Sequence, residues 1–360
     1  MGEIRRAIVS GTPYEQGLQQ GHIFSDLIRE NIRFLKEDLE RSNLNLHHYN
    51  ELTIRNAAFL EKDQPEQWEE MHGIADGAQL PFDDILMINV PTHFMRNCFS
   101  QECSMILVRG NATADGYTYL VKNRDLELTV HQVLVEYHYS DGMSITETGG
   151  AGIITYPSIG INSFGLSVTS TGTATGTPGG VAASILDDTL FDHNHIFVNI
   201  HHLLRNCHTA HEVLTTLDSY PRINGLNVIA ADKTSAAVIE MERTGYQVQW
   251  AADDGVLFRT NHYCLDGYRE KNATREVYPS TYLRYERISQ LLEQCRGHVR
   301  FQDLLRILSD HANGPVNSLC CHQTEHSPRR TVSCGIVVLE DSQLFTTPGN
   351  PCEHLIHTSL

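Results

Sequence analysis

Nine cysteines occur in the 360-residue chain. One of them, Cys103, sits where the polar stretch Asn97-Cys98-Phe99-Ser100-Gln101-Glu102 gives way to the strand-like run Ser104-Met105-Ile106-Leu107-Val108. A thiol becomes a nucleophile when a base or a positive neighbour draws off its proton; the competing reading is a buried cysteine packed as a small hydrophobe. Polar candidates follow downstream. Asn123-Arg124-Asp125 comes next, with Asp125 lying 22 residues beyond Cys103. Asn162 and Asn261 carry amides that can donate hydrogen bonds, or can hold turns, because Asn tolerates left-handed backbone. Arg284 and Arg287 are spaced i, i+3 and share a helix face, where a solvated pair is the ordinary outcome.

Two clusters raise the question of a metal. Asp187, Asp188, Asp192, His193, His195, His201 and His202 crowd one segment, and carboxylates with imidazoles can bind zinc. No His-Glu-x-x-His pattern accompanies them, so a solvated or substrate-facing helix and loop is the preferred reading. Cys320-Cys321-His322 with His311 prompts the same suspicion. Vicinal cysteines do not readily ligate one ion together, so packing is expected there, and no metal or cofactor is assigned.

The elements that must position these groups divide at Cys103. Before it the pattern is helical. Thr12-Pro13-Tyr14-Glu15 is a capping box with proline at the first helical position. Phe24, Leu27, Ile28, Ile32, Leu35 and Leu39 then form an apolar stripe of helical period. Gly17 and Gly21, four apart, cost helix stability and so predict close backbone packing. A second helix is expected from Pro65 through Trp68 and Met71, and a third over Asp83 to Asn89. From Cys103 onward strands dominate. They are expected at 103–108, 117–121, 132–139, 144–148, 165–169, 227–231, 236–242, 331–339 and 343–347, with helices near 194–218, 280–296 and 301–312. The 227–231 and 236–242 runs should pair across the turn Asp232-Lys233-Thr234-Ser235. This alternation of hairpins with grouped helices indicates an α+β fold with antiparallel sheets. The Gly- and Thr-rich stretch 172–180 is expected to be an exposed loop of active-site type.

Composition narrows the partners. Lys+Arg number 27 against 44 Asp+Glu, a net charge of −17. Such a surface repels phosphate backbones and anionic lipid, which argues against nucleic-acid and membrane roles. It also disfavours a polyanionic coenzyme A thioester and places no such penalty on a neutral or cationic amine. No run of 18 apolar residues occurs, so no membrane helix is expected. The N-terminal residues lack the apolar stretch of a signal peptide, Thr358-Ser359-Leu360 is a poor peroxisomal address, and the odd cysteine count suggests reduced thiols. A cytoplasmic protein is expected.

Several separated motifs keep their order along nearly the whole chain. They are Gly11-Thr12-Pro13-Tyr14-Glu15-Gln16-Gly17 through Gly21, Gly73-Ile74-Ala75-Asp76-Gly77, Asp84 to Asn89, Cys103 and Asn123-Arg124-Asp125. Beyond them lie Gly160 to Leu166, Arg259-Thr260-Asn261-His262-Tyr263, the Ser280/Arg284/Arg287 group, and Asp310-His311 leading to Ser318-Leu319-Cys320-Cys321-His322. Together they resemble the penicillin acyltransferase-like family (isopenicillin-N acyltransferase and relatives) of N-terminal-nucleophile hydrolases.

That resemblance implies one domain over 1–360 with a four-layer αββα fold and two antiparallel sheets. It also implies self-cleavage into a mainly helical α fragment of 1–102 and a catalytic β fragment of 103–360. The Cys103 thiol would attack the Glu102 carbonyl, and water would open the resulting thioester. The freed α-amine, with an ordinary pKa of roughly 8, would then serve as base toward its own thiol. By position in the family's motifs, Asp125 would hold that amine and Asn261 would donate to the oxyanion. Asn162 would add a second polar group, and Arg284 or Arg287 would support Asp125 or a substrate carboxylate. Asn123 and Arg124 would contact substrate. One departure stands out: the family usually has glycine before the nucleophile, and this chain has Glu102. The implied activity is hydrolysis or formation of a linear amide of an N-acylated amine or amino-acid-like small molecule, since relatives include penicillin-forming transferases and hydrolases of β-alanyl amines. Hydrolysis is preferred on charge grounds. An acyl-coenzyme A-dependent transferase and an unprocessed, non-catalytic binding protein are the alternatives.

Overall fold

The structure is a computed structural model that describes residues 3–41, 46–90, 101–173, 199–219, 225–242, 245–252, 255–354 and 356–358. Its N-terminal third contains strand β1 (Arg5–Gly11) and helices α1 (Pro13–Ile23), α2 (Ser25–Arg41), α3 (Leu46–Asp63), α4 (Pro65–Ala78) and α5 (Phe82–Asn89). Strands β2 (Gln101–Val108), β3 (Tyr119–Leu126), β4 (Gln132–Tyr139), β5 (Ser144–Gly150), β6 (Ile159–Asn162) and β7 (Ser167–Gly172) follow. Then come α6 (Ile200–Asn206), α7 (Ala210–Ser219), β8 (Leu226–Ala231), β9 (Ala236–Glu242), β10 (Gly245–Trp250) and β11 (Val256–Arg259). The chain continues through α8 (Pro279–Gln294), α9 (Phe301–Leu308), β12 (Arg330–Val338), β13 (Gln343–Thr347) and β14 (His357–Thr358).

Among the described residues the strands form an eight-stranded sheet, β1-β4-β5-β6-β7-β8-β9-β10, and a six-stranded sheet, β11-β2-β3-β12-β13-β14. Three apolar cores separate the layers. The first joins α2, α3, α4, α5, α6 and α7 to one face of the larger sheet through residues such as Ile28, Leu60, Ile74, Ile85, Leu203, Val133 and Val228. The second lies between the smaller sheet and α8 and α9, with Ile106, Val121 and Ile336 against Ile288, Leu304 and Ile307. The third, with Met105, Leu107, Leu120, Ile161, Ile229 and Val238, is trapped between the two sheets. Helices, sheet, sheet, helices: this is the αββα sandwich that the resemblance implied. The 226–231 and 236–242 strands pair across the expected turn.

The structure adds elements that the sequence patterns did not indicate, among them β6, β10, β11 and β14. Residues 5–11 fall in the third expected to be helical, yet they form β1. Its pairing with β4 is parallel, so the larger sheet is not wholly antiparallel. Helix α3 was also unforeseen. The expected loop at 172–180 lies outside the described residues beyond Thr173.

The capping box at the start of α1 forms as expected: the Thr12 N–H donates to Glu15 Oε2 at 2.8 Å, and the Glu15 N–H to Thr12 Oγ1 at 3.3 Å. The glycine pair has a counterpart. A Cβ on Gly17 or Gly21 would strike the Glu70 or Ile74 carbonyl of α4, and one on Gly73 or Gly77 would strike the Tyr14 or Leu18 carbonyl of α1. Each helix is stripped of side chains where the other's backbone passes. Gly73→Ala should therefore lower stability by about 2 kcal/mol or more through overpacking, read as a fall in the denaturation midpoint with the m-value unchanged.

Candidate active site

Period-two alternation sorts the candidates between the faces of the smaller sheet. In β2, Cys103 shares parity with Met105 and Leu107, which face the other sheet, whereas Glu102 shares parity with Ile106 and Val108, which face α8 and α9. In β3, Lys122 and Arg124 take the inter-sheet face with Leu120. Asn123 and Asp125 take the helix face with Val121. Across the ladder Cys103 stands opposite Arg124, and Glu102 opposite Asp125.

Strand β11 covers the outer edge of β2 only as far as Arg259, opposite Met105. Beyond that point side chains replace it. The Cys103 N–H donates to Asn261 Oδ1 at 3.1 Å, and Arg284 Nη1 donates to the Cys103 carbonyl at 2.6 Å. Asn261 is aimed by the start of α8, where Thr281 Oγ1 accepts its backbone N–H at 2.8 Å.

Arg284 is fully buried on α8. Its Nη1 also reaches Ser104 Oγ at 2.9 Å; Nη2 donates to Glu102 Oε2 at 2.6 Å and to Asn261 Oδ1 at 2.8 Å; Nε donates to Ser280 Oγ at 3.2 Å. All five guanidinium hydrogens thus have acceptors. Glu102 is 1% exposed, and its other carboxylate oxygen pairs with Arg329. The residue that departs from the family pattern is therefore held between two arginines and the Ser280 hydroxyl.

Cys103, Glu102, Asn261 and Arg284 are brought together, and Asp125 lies beside them. Asp125 accepts from Thr331 Oγ1 at 2.6 Å. Burial pushes its carboxyl up to about 6 against the opposing Arg284 charge and the Thr331 hydrogen bond. The Cys103 N–H goes to Asn261 and not to Asp125. Asn261 differs from its expected role in one respect: both amide hydrogens are committed, to Thr171 Oγ1 at 2.8 Å and to the Gly172 carbonyl at 2.7 Å.

The structure separates the remaining candidates. Asn162 is a turn organiser away from Cys103: its oxygen accepts from the Phe164 and Leu166 N–H groups, and its amide donates to the Leu204 and Cys207 carbonyls. Arg287 points outward and forms a bidentate pair with Asp310 at 3.0 and 2.6 Å. Asn123 faces the helix layer, donating to the Leu308 and Leu319 carbonyls, so it does not share Cys103's face. Of the histidine-rich segment, 187–195 lies outside the described residues. His201 is buried, and burial alone would lower its pKa; Glu147 at 3.0 Å, together with Glu70, outweighs that and holds it at about 9.

Arg124 does share the face of Cys103. It is buried, 5.3 Å from the Tyr156 ring centroid, with no hydrogen-bond partner for Nη1 among the described residues. It closes a largely apolar cavity lined also by Leu35, Ile88, Leu126, Val130 and Ile153.

Lys122 escaped the sequence reading. It is buried on the same face, and Nζ donates to the Ser170 carbonyl of β7 at 2.6 Å. Burial pushes its pKa down to about 8, and it is near enough to Cys103 for that group's charge to oppose the fall. Strand parity alone could have found it, since Lys122 must share a face with Arg124. Arg329 gave no sequence signal, because it meets Glu102 only through the fold.

A thiol at the end of a strand, backbone groups held by side chains, and buried cations on the thiol's face define a candidate cysteine-nucleophile centre in an αββα sandwich. Residues 112–352 match the family described as acyl-coenzyme A:6-aminopenicillanic acid acyl-transferase, and the chain belongs to that family. The matched region begins after Cys103. No curated protein gives a match. Similar solved structures include penicillin V acylase from Agrobacterium tumefaciens, with TM-score 0.45 and 10% identity over 71% of this chain and 85% of that one. A conjugated bile acid hydrolase from Clostridium perfringens gives TM-score 0.42 and 12% identity over 72% of this chain and 96% of that one.

The Arg284 network makes a separable stability prediction. Arg284→Met leaves the buried Glu102 carboxylate short of a counter-charge and should cost about 3–5 kcal/mol. Adding Glu102→Gln should recover much of that loss, a coupling readable from a double-mutant cycle of chemical denaturation.

Proposed function

We propose that the protein is a cysteine amidohydrolase that matures by cutting itself before Cys103 and then cleaves a linear amide of an N-acylated amine or amino-acid-like small molecule. The observation that carries this reading is the treatment of Cys103. Its N–H and carbonyl are held by Asn261 and Arg284 where β11 stops, with Lys122 and Arg124 on the side of the thiol. Membership of an acyltransferase family supports acyl-group chemistry. The net charge of −17 favours water over a coenzyme A-linked partner in the acyl exchange.

In maturation the Cys103 sulfur adds to the Glu102 carbonyl carbon. The C–N bond breaks, the nitrogen takes a proton to become a free α-amine, and water hydrolyses the thioester to leave a Glu102 carboxylate terminus. No α-amine exists before that step, so another base must take the thiol proton; we assign it to Lys122, whose pKa of about 8 allows a neutral fraction near neutrality. In turnover the thiol attacks the substrate carbonyl, the amine leaves with a proton, and water resolves the acyl-enzyme.

A second reading rests on Glu102. Its carboxylate is pinned by Arg284 and Arg329, and β2 runs unbroken through the 102–103 bond. This combination suits an uncut protein that binds a small molecule without catalysis.

Intact mass measurement separates the two. Maturation yields polypeptides 1–102 and 103–360 from the native chain and a single polypeptide from Cys103→Ala; a native chain that keeps its full mass on incubation rules out processing. Release of amine from a panel of N-acyl amines then tests turnover.

Lys122 makes a kinetic prediction. A base must be neutral to act, so the maturation rate should fall about tenfold per pH unit below about 8 and level off above it. Lys122→Met should slow maturation by about 10²-fold or more, followed by the appearance of the 103–360 fragment.

A further inference from the structure

Where the segment after α9 meets the segment between β13 and β14, four side chains converge that the candidate active site does not use. They are His311 and Cys320, from the segment after α9, His322 just beyond, and Cys352, which lies 32 residues past Cys320 between β13 and β14. The ligand atoms of all four lie within 4.8 Å of one another. His311 Nε2 is 2.9 Å from His322 Nε2, Cys320 Sγ is 3.5 Å from Cys352 Sγ, and His322 Nε2 is 3.7 Å from Cys320 Sγ and 3.5 Å from Cys352 Sγ.

We propose that His311, Cys320, His322 and Cys352 form a structural zinc site. Zinc–sulfur and zinc–nitrogen bonds of about 2.3 and 2.0–2.1 Å set tetrahedron edges of roughly 3.8 Å for S–S, 3.6 Å for S–N and 3.3 Å for N–N. The four separations above lie close to those edges. Two thiolates and two imidazoles are a ligand set that selects zinc over calcium or magnesium. Four protein ligands leave no open position, so the site is structural and not a centre for activating water.

The surroundings suit bound thiolate and oriented imidazole. Asn350 Nδ2 donates to Cys320 Sγ at 3.3 Å, and the second nitrogen of His322, Nδ1, faces Glu353 at 3.4 Å. A hydrogen bond to the ligating sulfur and a carboxylate behind the ligating imidazole are the outer contacts that orient zinc ligands. The neighbouring Cys321 turns the other way, toward the Val316 and Arg329 carbonyls. The vicinal pair therefore contributes one ligand, and the second thiol comes from distant sequence. His311 is exposed, which gives the ion an entry path.

Binding exchanges two thiol protons for one divalent cation, with both histidines neutral. The ion would fasten the segment carrying Cys352 to the loop after α9. That loop accepts from Arg329 through the Val316 carbonyl at 2.6 Å, and Arg329 in turn holds Glu102.

Protein purified without chelators, under reducing conditions, should carry about one zinc per chain by elemental analysis, the number four ligands can saturate. Cobalt substitution should produce a thiolate-to-metal charge-transfer band with the intense visible bands of a tetrahedral site. His311→Ala, a surface change, and Cys352→Ser should both lose the metal and the spectrum, while Cys321→Ser should keep them. Chelation should lower the melting temperature of the native chain and leave that of Cys352→Ser unchanged. Overturning results are a zinc-free chain that takes up no cobalt, metal retained in both His311→Ala and Cys352→Ser, or a Cys320–Cys352 disulfide in the reduced preparation by peptide mapping.

Discussion

The guanidinium of Arg284 is the interaction on which the centre of this molecule depends. A fully buried arginine cannot shed its charge, so the fold must surround it with acceptors or lose several kcal/mol. Five acceptors come from three different parts of the chain: Glu102, Cys103 and Ser104 on β2, Asn261 after β11, and Ser280 on its own helix. Satisfying that one group fixes the height of α8 over the smaller sheet.

Glu102 takes its meaning from the same group. A carboxylate this deep needs counter-charge, and Arg284 and Arg329 supply it from opposite oxygens. Glycine at that position would leave Asp125 as the remaining carboxylate near both arginines, without a direct ion pair to either. The departure from the family pattern is thus matched by its surroundings and is not a loose end on the surface. Lys122 and Arg124 on the opposite face carry further positive charge, so the 102–103 peptide lies between a neutralised side and an electropositive one.

What the sequence disclosed follows how local each signal is. The capping box at Thr12, the glycine pair and the hairpins are short-range patterns, and they survive in the fold. Strand β1 was hidden because its alternation is brief, carries Arg5 and Arg6, and leaves Ile8 half exposed; its parallel partner lies more than a hundred residues away. Cys103, Asn261 and Arg284 could be gathered by resemblance. The faces of the sheet could not be assigned without the register, which is why Asn123 and Arg124 looked equivalent and are not. Asn162 misled because an amide that organises a turn and one that serves a reaction look identical in sequence. Cys352 was invisible as a neighbour of His322 for the plainest reason: nothing local links them.

The parallel pairing of β1 with β4, together with the glycine-lined contact of α1 on α4, bears on what a cut before residue 103 would mean. Seven residues of the first segment are stitched into the larger sheet, and its helices share one face of that sheet with α6 and α7. Two pieces so joined would stay together, yet their assembly would no longer be a reaction within a single molecule. The uncut chain folds at a rate independent of concentration; severed pieces must find one another, and their stability would then depend on how much of each is present. Such a molecule would be folded once, as a precursor, and held afterwards by the slowness of coming apart.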